Sequence, residues 1–149
     1  MLVLLSIALA WDPSPEEQQL VRVLSSRDGA LPCAELEALV PEPVRSLENI
    51  VEHVEMPPWA PMTAAACLVE HHAEDRPELL ASWVTDPDKK GLARLVFNRL
   101  HLLEPERAEA LVEAGSKGPY RADLRAALLR APDPALRQRA ATVPPASPE

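Results

Sequence analysis

Aromatic residues are scarce in this chain of 149 residues, which has three tryptophans, one tyrosine and one phenylalanine. Glycine is scarce as well, with four residues. Without aromatic side chains the core must consist of leucine, valine and alanine, a mixture that favours helices over sheets. Four scattered glycines count against a loop-rich fold and cannot form a phosphate-binding loop. No apolar run is long enough to span a membrane as a helix.

Proline, in contrast, is abundant, with 17 residues. Prolines this frequent exclude long uninterrupted helices, but proline is well suited to the first turn of a short one. The segment "GLARLVFNRLHLLEPERAEALVEAG" (91–115) has two apolar runs of helical spacing, separated at Pro105. The pattern predicts a helix, a turn marked by proline and a second helix. Segments 65–88 and 122–141 repeat this order, with Leu68, Leu95 and Leu124 in equivalent positions, 27 and 29 residues apart.

The repeated units resemble the HEAT-like repeat family, in particular the short bacterial type first described in phycobilisome-lyase proteins. The resemblance rests on leucine- and alanine-rich hairpins with Asp-Pro or Glu-Pro turns and covers residues 61–141, while residues 15–56 would supply one or two divergent pairs. It implies an all-α fold, a right-handed α-solenoid of short antiparallel helix pairs that bury their apolar faces against one another. We expect this repeat domain over residues 11–141 and a disordered tail over 142–149. Members of the family act mostly in protein–protein interaction, and a minority bind DNA or carry a metal site.

The first ten residues, "MLVLLSIALA", are apolar apart from Ser6. The Ala-Leu-Ala sequence at 8–10 matches the small-x-small rule for signal-peptide cleavage, which would make Trp11 the first mature residue. The run is short for a signal peptide and lacks a preceding Lys or Arg. Residues 1–10 are therefore interpreted either as a signal peptide, which implies a periplasmic or secreted protein, or as an apolar first helix of a cytoplasmic one.

Cys33 and Cys67 are the two cysteines of the chain. In an exported protein they could form a disulfide between two early helices, and in a cytosolic protein they would be small buried hydrophobic residues. Their spacing matches no zinc motif.

The net charge of −8 is unevenly distributed, because residues 1–87 carry −11 and residues 88–149 carry +3. Arg121 and Arg125 are one helical turn apart, and with Arg137 they form a candidate surface for a partner. HEAT-like DNA-binding proteins line a concave surface with such residues. Here, apart from Tyr120, aromatic residues do not alternate with the basic ones, and the chain as a whole is acidic. A nucleic-acid-binding module is thus the second interpretation of function, and nucleic acid is a disfavoured partner.

Metal and nucleophilic chemistry find little support in the sequence. The pairs Glu52-His53 and Glu70-His71 place histidine beside glutamate, and Glu74 follows Glu70 by one helical turn. The helical pattern puts His53 and His71 on polar faces and His72 at the rim of the core, so we predict no metal site and no cofactor. A Glu/His metal enzyme remains a remote alternative. The serines lie in caps, turns and tails without a nucleophile-elbow context, so no catalytic residue and no enzymatic activity are predicted.

Two tryptophans are predicted to play different roles. Trp83 has Leu79, Leu80 and Val84 as helical neighbours, which indicates a core position. Trp59 lies between prolines in a rigid connector, where an exposed indole would be a candidate interface residue. The sequence therefore favours a non-enzymatic scaffold module that binds another protein through Trp59 and the basic C-terminal helices.

Overall fold

The computed structural model describes residues 10–28 and 31–145. Over these two ranges the chain is helical and has no β-strand, which confirms the all-α prediction. None of the described helices has the length and apolarity needed to cross a membrane. The α-helices are, in chain order, α1 (Pro15–Ser25), α2 (Cys33–Glu37), α3 (Pro43–His53), α4 (Trp59–His72), α5 (Pro77–Thr85), α6 (Lys90–Phe97), α7 (Pro105–Lys117), α8 (Arg121–Leu129) and α9 (Pro134–Arg139). Single turns of 3-10 helix occur at Leu100–Leu102 and Ala140–Thr142.

Proline begins five of these helices at the first or second helical position, as the sequence predicts. This position suits proline because its missing N–H would have no intrahelical partner there, and its fixed φ is already helical. In α1 the start is reinforced by a capping box: Ser14 Oγ accepts a hydrogen bond from Glu17 N at 3.1 Å, and Glu17 Oε1 accepts one from Ser14 N at 3.4 Å. Such a box satisfies two N–H groups that the helix itself leaves unpaired.

Two helix boundaries differ from the sequence prediction. Helix α4 begins at Trp59, which the sequence analysis places in a connector, because Pro61 falls within the first turn, where proline is tolerated. Helix α7 continues to Lys117, beyond the segment 91–115 in which the sequence predicts it. Gly115 therefore does not form a turn but serves as a small buried residue inside a helix.

The core consists of leucine, valine and alanine, with few aromatic side chains. Trp83 is 1% exposed, in agreement with the core position predicted for it. Val143 is 3% exposed and belongs to the same core, although the sequence places it in a disordered tail that starts at Thr142. Its apolar side chain packs on the core because the 3-10 turn before it directs the chain back onto the protein. The folded part of the chain thus extends to Val143, while most of the two predicted terminal segments, residues 1–9 and 146–149, lies outside the described residues.

From α4 to α8, each helix packs against the next helix but one. Helix α4 contacts α6 and α6 contacts α8, while α5 contacts α7. Further contacts join α5 to α6, α7 to α8 and α8 to α9. On the N-terminal side, α3 and α1 pack against α4. The predicted repeat segments 65–88, 91–115 and 122–141 correspond to the consecutive helix pairs α4–α5, α6–α7 and α8–α9, of which α8 and α9 pack against each other.

Three ion pairs connect residues that are about 30 positions apart. The guanidinium groups and carboxylates meet at 2.6–3.2 Å between partners that are 29, 29 and 30 residues apart, namely Glu70–Arg99, Arg94–Asp123 and Glu109–Arg139. Exposed ion pairs contribute little to the free energy of unfolding. Their effect here is to favour one alignment of the helices that they join.

Gly115 and Gly91 are expected to respond oppositely to substitution by alanine. A Cβ atom at Gly115 would lie 2.9 Å from Phe97 Cε1 and 3.1 Å from Leu124 Cδ2, whereas at the exposed Gly91 the nearest atom is Met62 Sδ at 3.9 Å. Gly91→Ala should raise the free energy of unfolding by about 0.5–1 kcal/mol through helix propensity. Gly115→Ala should lower the free energy of unfolding by about 1 kcal/mol. Alanine has the higher helix propensity here as well, but its methyl group would overpack the core, and that cost is larger. Urea unfolding of the two variants measures both signs, and stabilisation by Gly115→Ala would contradict the close packing of α6, α7 and α8.

Candidate functional site

An apolar groove lies between α1, α2 and α4, and we call it the α1–α4 groove. It has a volume of about 270 Å³ and is lined by Val23, Leu24, Ser26, Arg27, Leu31, Leu36, Trp59 and Thr63. Leu31, at its rim, is 39% exposed, which is unusual for a large apolar side chain in this protein. The groove contains Trp59, the residue that the sequence indicates as an interface candidate. Seven of its eight lining residues are uncharged, so its floor is suited to an apolar side chain.

Arg27 is the charged residue of the groove lining. Its guanidinium carbon lies 4.8 Å from the ring centroid of Trp59, a cation–π arrangement that holds the guanidinium over the indole. In the described part of the chain Arg27 has no ion-pair partner, and Asp and Glu are missing from the groove lining. The hydrogen-bond donors of Arg27 thus remain available at the edge of an apolar surface.

Cys33 and Cys67 form a disulfide in the structure, with their Cα atoms 5.5 Å apart. The bond links the first residue of α2 to the middle of α4, next to the α1–α4 groove. Cys67 is fully buried and Cys33 is half-buried. The disulfide therefore fixes the short helix α2, of five residues, against the longer helix α4.

Two of the C-terminal arginines, Arg139 and Arg137, interact with the protein itself. Arg139 binds the Glu109 carboxylate through two nitrogens, at 2.6 and 3.0 Å, and Arg137 Nη1 donates to two backbone carbonyls at 2.8 and 2.9 Å. Arg121 and Arg125 have no ion pair within the described ranges, and Arg121 is half-buried. The basic surface is thus smaller than the sequence indicates.

The predicted partner-binding residues do not form one site. Helix α6 lies between α4, which carries Trp59, and α8, which carries Arg121 and Arg125. Trp59 instead belongs to the α1–α4 groove, with Arg27 and Leu31, two residues that the sequence did not single out. The signal that could have indicated them is the mixed apolar and basic end of α1, where Val23 and Leu24 come shortly before Arg27.

The histidines lie where the sequence predicts: His53 and His71 are exposed, and His72 is half-buried at the rim of the core. The ring of His53 stacks on Trp11 with ring centroids 5.5 Å apart. Glu70 and Glu74 pair with Arg99 and Arg107, each at 3.2 Å. His71 and His72 instead meet Glu37, a residue that no pattern in the sequence indicated.

The C-terminal surface also contains one carboxyl group with a shifted pKa. The ammonium group of Lys117, 2.9 Å from Glu113 Oε1 and one helical turn away, lowers the pKa of Glu113. The side chains of both residues are well exposed, so this pair adds a local dipole to α7 and little stability.

A comparison of the chain with protein-family models, with curated proteins and with solved structures finds no match in any of the three. The HEAT-like resemblance therefore stays a prediction, and the functional argument depends on the geometry of the molecule.

Proposed function

We propose that this chain is a non-enzymatic protein-binding module and that the α1–α4 groove binds a short segment of another protein. The observation that supports this function is the apolar groove whose one charged lining residue, Arg27, lies over Trp59. Tryptophan and arginine are the residue types that most often dominate the energy of protein interfaces. The groove is large enough for a side chain or two, and not for a folded domain.

The bound segment is expected to carry a large apolar side chain next to an aspartate or glutamate. The apolar side chain would cover the indole of Trp59 and the exposed face of Leu31. The neighbouring carboxylate would accept hydrogen bonds from Arg27, which the groove itself does not neutralise. Because residues 1–87 carry a net charge of −11, Arg27 is a local positive site in an acidic half of the protein.

The framework around the groove is proposed to be a right-handed α-solenoid of HEAT-like hairpins. The contacts of α4 with α6, of α6 with α8 and of α5 with α7 support stacked hairpins, and so do the ion pairs 29 and 30 residues apart. We also infer an extracytoplasmic location, because disulfides persist in oxidising compartments and the cytosol reduces them. The Cys33–Cys67 disulfide supports this location.

Selection of binding peptides from a random library tests the proposed function. We expect the selected peptides to combine an apolar residue with a neighbouring acidic one. Trp59→Ala should weaken their binding about 30-fold, the loss expected for an interface tryptophan. Arg27→Glu should change the selected neighbour from acidic to basic. Leu129→Ala, at an exposed leucine of α8, is the matched control and should leave binding unchanged.

Three outcomes would overturn this function. One is a set of peptides without the acidic residue, and another is equal binding to the Trp59→Ala variant, provided that circular dichroism shows it to be folded. The third outcome is that the protein retains DNA or RNA on a filter at low salt. If the double variant Arg121→Ala, Arg125→Ala abolished this retention, the nucleic-acid-binding alternative would be favoured.

A further inference from the structure

Glu37, His71 and His72 bring one carboxylate oxygen and two ring nitrogens together at the ends of α2 and α4. Glu37 Oε1 lies 3.2 Å from His71 Nδ1 and 2.8 Å from His72 Nε2, and the three atoms all lie within 4.8 Å of one another. Successive residues of a helix point about 100° apart. The two histidines nevertheless reach the same oxygen of Glu37. His71 contacts it through Nδ1, the ring nitrogen nearer to the backbone, and His72 through Nε2, the nitrogen farther from it.

The disulfide explains why Glu37 faces these histidines. Glu37 follows Cys33 by one helical turn in α2, and His71 follows Cys67 by one helical turn in α4. The two pairs have the same separation, 34 residues. Here α2 and α4 run in the same direction. A bond between Cys33 and Cys67 therefore places Glu37 and His71, one turn further along each helix, next to each other.

In its neutral form, His72 cannot donate a hydrogen bond to both of its carboxylate neighbours, and a bound cation would remove this conflict. Its Nδ1 lies 3.2 Å from Asp75 Oδ2, and its Nε2 lies 2.8 Å from Glu37 Oε1. A neutral imidazole has one N–H group, so it can donate to one of these carboxylates and must turn a lone pair toward the other. A positive ion between Nε2 and Glu37 would bind both groups. The same ion would face His71 Nδ1, which contacts the same carboxylate oxygen.

We propose that Glu37 Oε1, His71 Nδ1 and His72 Nε2 bind one zinc ion, a site distinct from the α1–α4 groove. Imidazole nitrogens with a carboxylate suit zinc, whereas calcium and magnesium take oxygen ligands. Asp75 is a positioning residue: as the acceptor of the Nδ1 proton it holds His72 in the tautomer that presents Nε2 to the metal.

Two of the three distances between ligand atoms lie near the value for tetrahedral zinc, and the third, between His71 Nδ1 and His72 Nε2, is within 4.8 Å. Zinc bonds to nitrogen and oxygen of about 2.0–2.1 Å place tetrahedral ligands about 3.3 Å apart. The Glu37–His71 distance of 3.2 Å meets this value. The Glu37–His72 distance of 2.8 Å must lengthen by about half an ångström, which a small rotation of the Glu37 side chain provides. The His71 side chain is 39% exposed, so an ion can enter from solvent, and the fourth position is left for water.

The burial of the site favours retention of the ion. The side chains of Glu37 and His72 are 15% and 17% exposed, which reduces competition from water. Glu70 and Glu74, the other carboxylates at this end of α4, are engaged by Arg99 and Arg107. The ion is thus expected to select Glu37 over its acidic neighbours.

Zinc titration of the tag-free, disulfide-bonded full chain against a chromophoric chelator tests the site. We expect one zinc per chain, with a dissociation constant in the micromolar range or tighter. His71→Ala, His72→Ala and Glu37→Gln should each weaken binding at least 10-fold. His101→Ala, at an exposed histidine outside the cluster, is the matched control and should bind as the parent does.

NMR of the histidine ring nitrogens shows which nitrogen of His72 carries the proton. It therefore tests whether Asp75 positions His72 for the metal or only stabilises the fold. With zinc bound, His72 should show a protonated Nδ1 and a metal-shifted Nε2, and Asp75→Asn should change this pattern and weaken binding about 10-fold. The proposal is overturned if the parent does not bind zinc more tightly than His71→Ala. Because His71 is exposed, its substitution should leave the fold intact. The proposal is also overturned if His101→Ala lowers the zinc affinity as much as His71→Ala does.

Discussion

Trp83→Ala is expected to lower the free energy of unfolding by about 3–5 kcal/mol, which corresponds to a fall in melting temperature of about 10 °C for a domain of this size. Trp83 is 1% exposed on α5, which packs against both α6 and α7. Five aromatic residues in the whole chain leave few large side chains to close a cavity. The surrounding leucine and alanine side chains are too short to fill the space that an indole leaves. Urea unfolding followed by circular dichroism measures the loss.

Trp83→Phe is the matched variant for this prediction. Phenylalanine keeps an aromatic ring in the core but leaves a smaller cavity, so the loss should be well under half of that for alanine. Equal losses for both variants would mean that the core depends on something other than the volume of the side chain at this position. A loss below about 1 kcal/mol for alanine would show that α5 is not held between α6 and α7.

Cys33→Ser is expected to lower the free energy of unfolding by about 4 kcal/mol, because the disulfide closes a loop with a sequence separation of 34 and restricts the unfolded chain. The effect should be concentrated in α2. This helix has five residues and no side-chain cap at its start, so it depends on its attachment to α4. Differential scanning calorimetry of the parent and the variant, with and without a reducing agent, measures it.

Reduction provides the control for the disulfide prediction. A reducing agent should lower the stability of the parent to that of Cys33→Ser and should leave the variant unchanged. Zinc affinity should fall in both cases, because Glu37 would no longer be held opposite His71. Two reactive thiols in the protein as purified without reductant, or no response to reduction, would contradict the bond.

The helices could be predicted from the sequence because their signals are local. Proline at Pro77 or Pro105 fixes the start of a helix through its own geometry, whatever packs against it. The repeated spacing of Leu68, Leu95 and Leu124 likewise indicated helices, and the three residues are buried on α4, α6 and α8. Trp83 was predicted as a core residue because its apolar neighbours lie on the same helical face.

The candidate sites could not be predicted in the same way, because they depend on contacts between distant segments. Glu37 lies in a helix too short to show an apolar stripe, so nothing local indicates its partner. The equal separation of Cys33 from Cys67 and of Glu37 from His71 was visible, but it acquires meaning only once the disulfide is formed. Arg27 follows the apolar end of α1, but this local pattern does not reveal its role, which depends on the position of Trp59 on another helix.

The nearly constant separation of the paired residues has a consequence for how this protein can change in length. A deletion of one residue inside a helix rotates the C-terminal remainder of that helix by about 100°, so that a guanidinium such as that of Arg99 would miss its carboxylate. Removal or duplication of a whole helix pair, in contrast, would keep each guanidinium at the same distance along the chain from a carboxylate of a neighbouring helix. Descendants of this chain should therefore differ by complete units of roughly thirty residues more readily than by single insertions within a helix.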